Sequence, residues 1–288
     1  MQLLRLLPRF LHRHKCVEIL CKLGLQKKIL PIKFNKGAKA IIDLCDPEPR
    51  NVFFKREFEP YFFDVAKSFL PKDGIFFDLG TNVGFCTFGL CVDRPNAIYH
   101  LFEANPKLIN LLNQSIELHP KQNFSLNHSC VSNIKGKTHF KIESKQSGQS
   151  HVSTHKGLGI QVSNLKLDDY CAELSICNIE FAKIDLEGHE LPALEGWRNC
   201  LSAHRVKAIY IEIIPENQAR YGRPTHAPLS YLESLGYKLY LCKKEDFGFF
   251  GETPYEFRSR NGVLLLSHFR AEEYLKEFAT DVLALPLC

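Results

Sequence analysis

Residues 76–85, FFDLGTNVGF, constrain this chain more than any other stretch. An apolar run of Ile75, Phe76 and Phe77 meets Asp78 and then turns through Gly80, Asn82 and Gly84. A helical pattern follows, with Phe85, Phe88, Gly89 and Val92 on one side. A buried strand that ends in a glycine-punctuated turn before a helix has the form of a nucleotide-type cofactor site. Without a Cβ at Gly80 and Gly84 the backbone can bend sharply and approach a ligand. A plain strand-to-helix loop reads the same over ten residues, so the rest of the chain has to decide.

From Gly74 onward, apolar runs of strand length alternate with helical stretches. This predicts an α/β domain with a mostly parallel sheet and helices on both faces. Strands are expected over 75–79, 97–102, 124–131, 181–185, 206–213, 237–242 and 262–267. Helices are expected over 84–91, 106–118, 191–201 and 228–235, with Pro106 after Asn105 a good helix start. Upstream, 39–46 and 52–54 read as short strands, and 59–70 as a helix stopped by Pro71. Gly136 reads as a hairpin turn between 129–132 and 137–142. The polar stretch 143–164 is longer than ordinary connections and reads as a lid or substrate loop. Three parts are thus expected: a basic arm and lead-in over 1–73, the cofactor domain over 74–270, and a helix or tail over 271–288.

The net charge of +5 is uneven. Residues 1–42 hold ten Lys/Arg and one acid, Glu18, which puts this arm near +9 and the remainder near −4. The cofactor domain is therefore not basic, which argues against a nucleic-acid partner. The eleven cysteines are scattered without a Cys-x-x-Cys pair, so the spacing of a zinc or redox site is missing and a reducing, cytoplasmic setting is expected. The first 24 residues carry Arg5, Arg9, Arg13 and Lys15 among their apolar residues, which suits neither a signal peptide nor a spanning helix. Leu3, Leu4, Leu7, Leu11, Val17 and Leu20 give an amphipathic stripe broken near Pro8. Such a helix packs on the body or a second subunit, or lies on anionic lipid; both readings stay open.

Acidic residues end several strands: Asp78, Glu103 in YHLFEANP, the group in KIDLEGHEL (183–191), and Glu212 in IYIEI. Ligands of open α/β sheets sit at the carboxyl ends of the strands, so these groups should converge. An acid at the place of Glu103 accepts hydrogen bonds from both hydroxyls of a ribose. Asp168 reads instead as a helix cap, and Lys183 as a structural ion-pair partner.

The motifs D-L-G-x-N-x-G, F-E-x-N-P and K-I-D-x-E-G-x-E, in this order and spacing, resemble the FkbM family of S-adenosylmethionine-dependent methyltransferases. The likeness runs from Ile75 to Ile213, and the family's seven-stranded Rossmann-like class I fold would extend it to about Phe269. Thr81 departs from it, standing where the family has a small Ala. The resemblance implies a cofactor cradle of Asp78, Gly80, Thr81, Asn82 and Gly84, with Glu103 on the ribose and Ala104 and Asn105 beside the adenosine. It also implies Val131 and Ser132 flanking the adenine and Asp185 near the methionine end. An acidic pocket suits a cofactor carrying a sulfonium and an ammonium group, whereas Asp78 at the turn would repel a dinucleotide pyrophosphate. The spacing Gly80-x-Asn82-x-Gly84 also lacks the dinucleotide fingerprint.

Transfer to a hydroxyl requires a general base, for which Glu187, His189 and Glu212 are the candidates. HELPA at 189–193 is not the zinc motif, because Ala193 takes the second His position. His151 and His155 would need a helix to share a metal, and Asp185, Glu187 and Glu212 could hold Mg²⁺ only in a metal-assisted variant; no metal is expected. The resulting expectation is an O-methyltransferase acting on a small-molecule, glycan, lipid-linked sugar or secondary-metabolite hydroxyl. A nicotinamide-dependent dehydrogenase and a catalytically inactive binding protein on the same fold are the alternatives.

Overall fold

The computed structural model describes residues 13–155, 157–242, 258–260, 263–274 and 280–287. Helix α1 (Arg13–Lys22) precedes an antiparallel hairpin of β1 (Ile29–Phe34) and β2 (Ala38–Asp43), then α2 (Pro47–Lys55) and α3 (Pro60–Phe69). The alternating region follows with β3 (Ile75–Leu79), α4 (Phe85–Asp93), β4 (Ile98–Glu103), α5 (Pro106–Glu117) and β5 (Asn123–His128). Next come the short strands β6 (Cys130–Val131), β7 (Lys137–Lys141), β8 (His151–Val152) and β9 (Ile160–Leu165), then α6 (Leu167–Glu173) and β10 (Phe181–Ile184). Helices α7 (Glu190–Glu195) and α8 (Arg198–Ser202) lead to β11 (Ile209–Ile213), α9 (Pro215–Arg220), α10 (Ala227–Ser234) and β12 (Tyr237–Cys242). The chain closes with β13 (Arg258–Arg260), β14 (Val263–Leu265), β15 (Ser267–Phe269) and β16 (Thr280–Pro286).

Among the described residues the main sheet has eight strands in the order β15-β12-β16-β11-β10-β3-β4-β5. The pairs β11–β10–β3–β4–β5 are parallel, and β16 is antiparallel to both β11 and β12. The first strand of the alternating region therefore lies near the middle of the sheet, and the order reverses between β3 and β10. That reversal opens the crevice in which ligands of doubly wound sheets bind.

Strand β3 reads IFFDL with both faces covered, as a central parallel strand must be. Successive side chains alternate across the sheet, so Phe76 and Phe77 enter different cores. Phe76 packs with Phe62, Phe181 and Tyr99 beneath the α3 side. Phe77 stacks on the Trp197 indole with ring centroids 5.6 Å apart and planes 4° from parallel. Helix α5 starts where Asn105 accepts the Lys107 amide at 3.1 Å and Pro106 presets the first turn.

Several expectations need correction. Residues 52–54 lie inside α2 instead of a strand, because Asp46 accepts the Glu48 amide as an N-cap before Pro47 and one helical side buries Val52 and Phe53. The stretch 271–288 is not a helix or tail: β16 supplies the antiparallel strand between β11 and β12, with Val282, Leu283 and Ala284 fully buried. The last strand, expected over 262–267, divides into β14 and the edge strand β15, and residue 262 lies outside the described residues. Gly136 makes a turn at φ 95°, but β6 and β7 do not pair; each lies against β9 instead, β6 parallel and β7 antiparallel. The polar stretch 143–164 thus contributes β8 and most of β9 to a small four-stranded sheet. The lead-in does not pack as a separate part, since Val17, Phe34, Phe53 and Phe62 share one core with Phe76, Phe181 and Leu283. The portion of the N-terminal arm over 1–12, including Pro8, lies outside the described residues.

Removing the indole of fully buried Trp197 leaves the Phe77 ring without its stacking partner. Trp197→Ala is expected to lower unfolding stability by about 3–5 kcal/mol, read as an earlier urea midpoint at unchanged slope.

Candidate active site

The carboxyl ends of β3, β4, β10 and β11 surround a cavity of about 570 Å³. Its first wall is the turn after β3, where Gly80, Asn82 and Gly84 adopt φ of 80°, 51° and 82°. A Cβ on Gly80 would stand 1.8 Å from the Asp185 carbonyl oxygen, so glycine alone lets the ends of β3 and β10 pass this closely. Gly84 is needed for a different reason: a Cβ there would strike the Phe88 ring at 2.3 Å. The turn is tied to β4, with the Gly80 and Thr81 amides donating to the Phe102 carbonyl at 3.0 and 3.1 Å. The Thr81 hydroxyl donates to the Asp78 carbonyl and accepts the Phe102 amide, so it locks the turn internally.

Gly80, Thr81, Asn82, Glu103, Ala104, Val131, Asp185, Glu187, His189 and Glu212 line the cavity. Asp78, Gly84, Asn105 and Ser132 stand behind that lining. Asp78 is buried beneath the turn, where Oδ2 accepts the Thr87 hydroxyl at 2.6 Å and Oδ1 has no hydrogen-bond partner. Burial raises its pKa against the opposing pull of Lys183. Asn105 caps α5, and Ser132 Oγ shares a 3.2 Å hydrogen bond with His189 Nε2.

Glu103 is held from two sides. Oε2 accepts the Asn82 amide and Oε1 the Asn105 amide, each at 2.7 Å. A carboxylate has about four acceptor positions, so this bracing fixes the group and leaves lone pairs for a ligand. Burial pushes its pKa up to about 7. Nearby, Ser129 Oγ is buried in the cavity wall with no partner.

The opposite end is dense in acids. Nine carboxylic side chains line the cavity as a whole, against two permanent cations, Lys183 and Arg220. Lys183 Nζ lies 2.9 Å from Asp185 Oδ2. The Asp185 charge, then burial and Asp281, push Glu212 up to about 10. Glu187 rises to about 8 through burial and Asp185. Its Oε2 accepts Asn217 Nδ2 at 2.6 Å, and its backbone sits at φ 53°, unusual for a residue with a side chain. His189 goes the other way: burial, then Arg223, pushes it down to about 4, and its Nδ1 is buried without a partner.

Several contributors carry no motif in the sequence. Glu48 on α2 lines the cavity, accepts Asn82 Nδ2 at 3.1 Å and is raised to about 7 by burial, Asp185 and Asp46. Phe58, Glu59, Tyr210 and Asp281 line it as well. Glu190 braces the Glu187 turn by accepting the Leu186 and Gly188 amides at 3.1 and 3.0 Å, and its place in KIDLEGHE was the one available signal. Residues 146–152 of the polar stretch form a further wall. Ser147 donates its hydroxyl to Asn82 Oδ1 at 2.8 Å and its amide to Asp46 Oδ2 at 2.9 Å, while the Tyr221 hydroxyl donates to the Val152 carbonyl.

Asp168 is a cap, accepting the Asn199 and Cys200 amides at the start of α8. His151 lies in β8 and His155 in the turn beyond it, so no helix brings the two together. Among the described residues no three His, Cys, Asp or Glu side chains are arranged to hold a metal ion.

The Methyltransferase FkbM domain model matches residues 78–239, more than half of the chain. The hexuronic acid methyltransferase AglP of Haloferax volcanii is 24% identical over 153 residues, which cover 52% of this chain and 61% of that protein. The chain thus matches less than two thirds of that relative's length. Among solved structures, precorrin-6y C5,15-methyltransferase from Geobacter metallireducens is 12% identical and covers 80% of this chain and 87% of its own, with a TM-score of 0.42. SMU.1697c from Streptococcus mutans, solved in complex with SAH, is 12% identical over 78% of this chain and 95% of its own, with a TM-score of 0.43. Both structural likenesses are remote.

The acid-rich end makes stability depend on pH. An acid whose folded pKa exceeds its unfolded value holds its proton more tightly when native, so stability falls as pH rises between the two values. For Glu212 that window runs from 4.5 to about 10. His189 acts oppositely, costing stability as pH falls from 6.5 towards about 4. Glu212→Gln is expected to flatten the alkaline decline of the melting temperature and leave the acid limb unchanged, as measured by calorimetry across pH.

Proposed function

The chain belongs to the FkbM methyltransferase family, whose cofactor is S-adenosylmethionine, and from that premise we propose that it O-methylates a hydroxyl on a glycan, lipid-linked sugar or secondary metabolite. The carboxylate-lined cavity against the Gly80 turn carries this reading. The residues present fit the cofactor: Glu103 is braced with lone pairs to spare for ribose hydroxyls, Ser129 Oγ is an unused polar atom in the same wall, and Val131 and Ala104 offer an apolar surface to the adenine. At the far side, Asp185 and its neighbours suit a cationic methionine end. Bound there, the cofactor supplies an electrophilic methyl carbon on a sulfonium sulfur. The same acids oppose a pyrophosphate, which disfavours the dehydrogenase alternative.

A hydroxyl acceptor must lose its proton as it is methylated, and Glu187 is the best placed of the three candidates. Asn217 fixes its carboxyl group and Glu190 fixes its backbone turn. Raised to about 8 by burial and Asp185, it gives up its proton readily once a cation is nearby. His189 is too weak a base at about 4, with Nε2 already on Ser132, and Glu212 is the most strongly protonated of the three. The named activity of the Haloferax relative, on a hexuronic acid, supports a sugar as the acceptor class.

S-adenosylhomocysteine is expected to raise the melting temperature and NAD to leave it unchanged; the reverse result sinks the methyltransferase reading. Glu103→Ala should weaken S-adenosylhomocysteine roughly 10- to 100-fold by titration calorimetry, the loss expected for hydrogen bonds to a charged group. Methyl transfer from radiolabelled cofactor into fractionated cell extract identifies the acceptor. With that acceptor, Glu187→Gln should lower kcat by about 10²–10⁴-fold at unchanged cofactor affinity. A weakened cofactor with intact kcat would remove Glu187 from the base role.

A further inference from the structure

Helix α1 is anchored on one side only. Val17 is fully buried, the His14 ring meets Phe54 edge-on at 4.8 Å, and the Arg13 guanidinium sits 4.4 Å above the same ring. The end of the helix and the turn after it have no such cover. Ile19 is 55% exposed, Leu23 66%, Leu25 73% and Ile29 46%. The Leu23 amide donates to the Ile19 carbonyl and the Leu25 amide to that of Leu20, both at 2.9 Å, which folds these residues into one compact knob. Four large aliphatic side chains exposed within eleven residues form a patch that water disfavours.

The same segment is rich in cations. Arg13, Lys15, Lys22, Lys27 and Lys28 all belong to this segment. Two acids stand against them: Glu18, 2.7 Å from Lys22, and Asp43, 3.1 Å from Lys28. A second copy of the chain would bring the same cations against themselves across a two-fold axis. Lysine is also depleted at protein interfaces. Aliphatic tips with basic flanks suit the boundary of an anionic bilayer, where the tips enter the acyl region and the cations meet headgroups.

The geometry points to the α1 knob as a docking surface for an anionic lipid bilayer. Among the described residues no helix is long and apolar enough to cross a membrane, so this contact is peripheral. It holds the chain reversibly at the bilayer surface.

The test is co-sedimentation of the full chain with vesicles of phosphatidylcholine alone and of phosphatidylcholine with phosphatidylserine, at low and high salt. Binding is expected to the phosphatidylserine vesicles only, and to weaken as salt rises. The double variant Leu23→Glu/Leu25→Glu should bind roughly tenfold more weakly or worse, with S-adenosylhomocysteine affinity and melting temperature unchanged. Equal binding to both vesicle types overturns the proposal, as does undiminished binding of the double variant. A lipid-free dimer that the double variant abolishes also overturns it, by assigning the face to a second copy.

Discussion

The sheet-edge acids depend on one buried lysine. Lys183 lies on β10 in register with Asp78 on β3, and its ammonium reaches forward to Asp185. Burial alone would strip such a group of its charge, yet the Asp185 carboxylate, with Asp78 behind it, holds its pKa well above the ordinary value. The cation is thereby kept charged between the strand that enters the glycine turn and the strand that ends at Asp185. Lys183 is nearly buried, so removing Asp185 would leave its charge largely uncompensated. The Gly80 contact relies on the same junction, since the carbonyl it passes belongs to Asp185.

One lysine cannot neutralise the whole acidic end. The surplus acids respond by holding protons: Glu48 is raised to about 7, Glu187 to about 8 and Glu212 to about 10. The Asp185 charge helps raise all three, so the pair that joins the strands also sets the protonation of the cavity. Such a cavity is ready for a cation, which ionises the acids as it arrives and is held by the charge it creates. Arg220 opposes this field only weakly, as the smallest of the influences on Glu187. Its guanidinium donates to the Glu187 carbonyl and Asn217 Oδ1, and so it holds the Glu187 turn in place.

What the sequence revealed and what it concealed follow from how far apart the cooperating residues lie. The Gly80 turn, Glu103 and the KIDLEGHE run were legible because each is a local pattern at the end of an apolar strand, and parallel topology does the rest. Strand β16 was missed because its apolar run follows a stretch whose sequence reads as helix or tail; its register is specified only by β11 and β12 on either side. Glu48 and Asp281 carry no local signal at all, since each becomes a wall only when a distant element packs beside it. His189 was attractive by residue type, but its local motif says nothing of the desolvation that lowers its basicity. The polar stretch was recognisable by composition as part of the site, whereas its strands depend on partners, with β9 pairing to β6 and β7.

The walls of the cavity therefore have two origins. The glycine turn, Glu103, Asp185 and Glu187 fall within the region matched to the family domain, while Glu48, Phe58, Glu59 and Asp281 lie outside it. Glu48 comes from α2, Phe58 and Glu59 from the connection between α2 and α3, and Asp281 from the last strand, all joined to the domain by a shared core. The first set is built of a backbone turn and braced carboxylates, whose geometry tolerates little substitution. Both sets line the same cavity, and Ser147 clamps the polar wall to Asn82 of the turn. The two sets meet at Asn82, whose side chain donates to Glu48 and accepts the Ser147 hydroxyl, so a change in the lead-in is felt at the glycine turn, while Lys183 ties β10 to the Asp185 end of the same cavity.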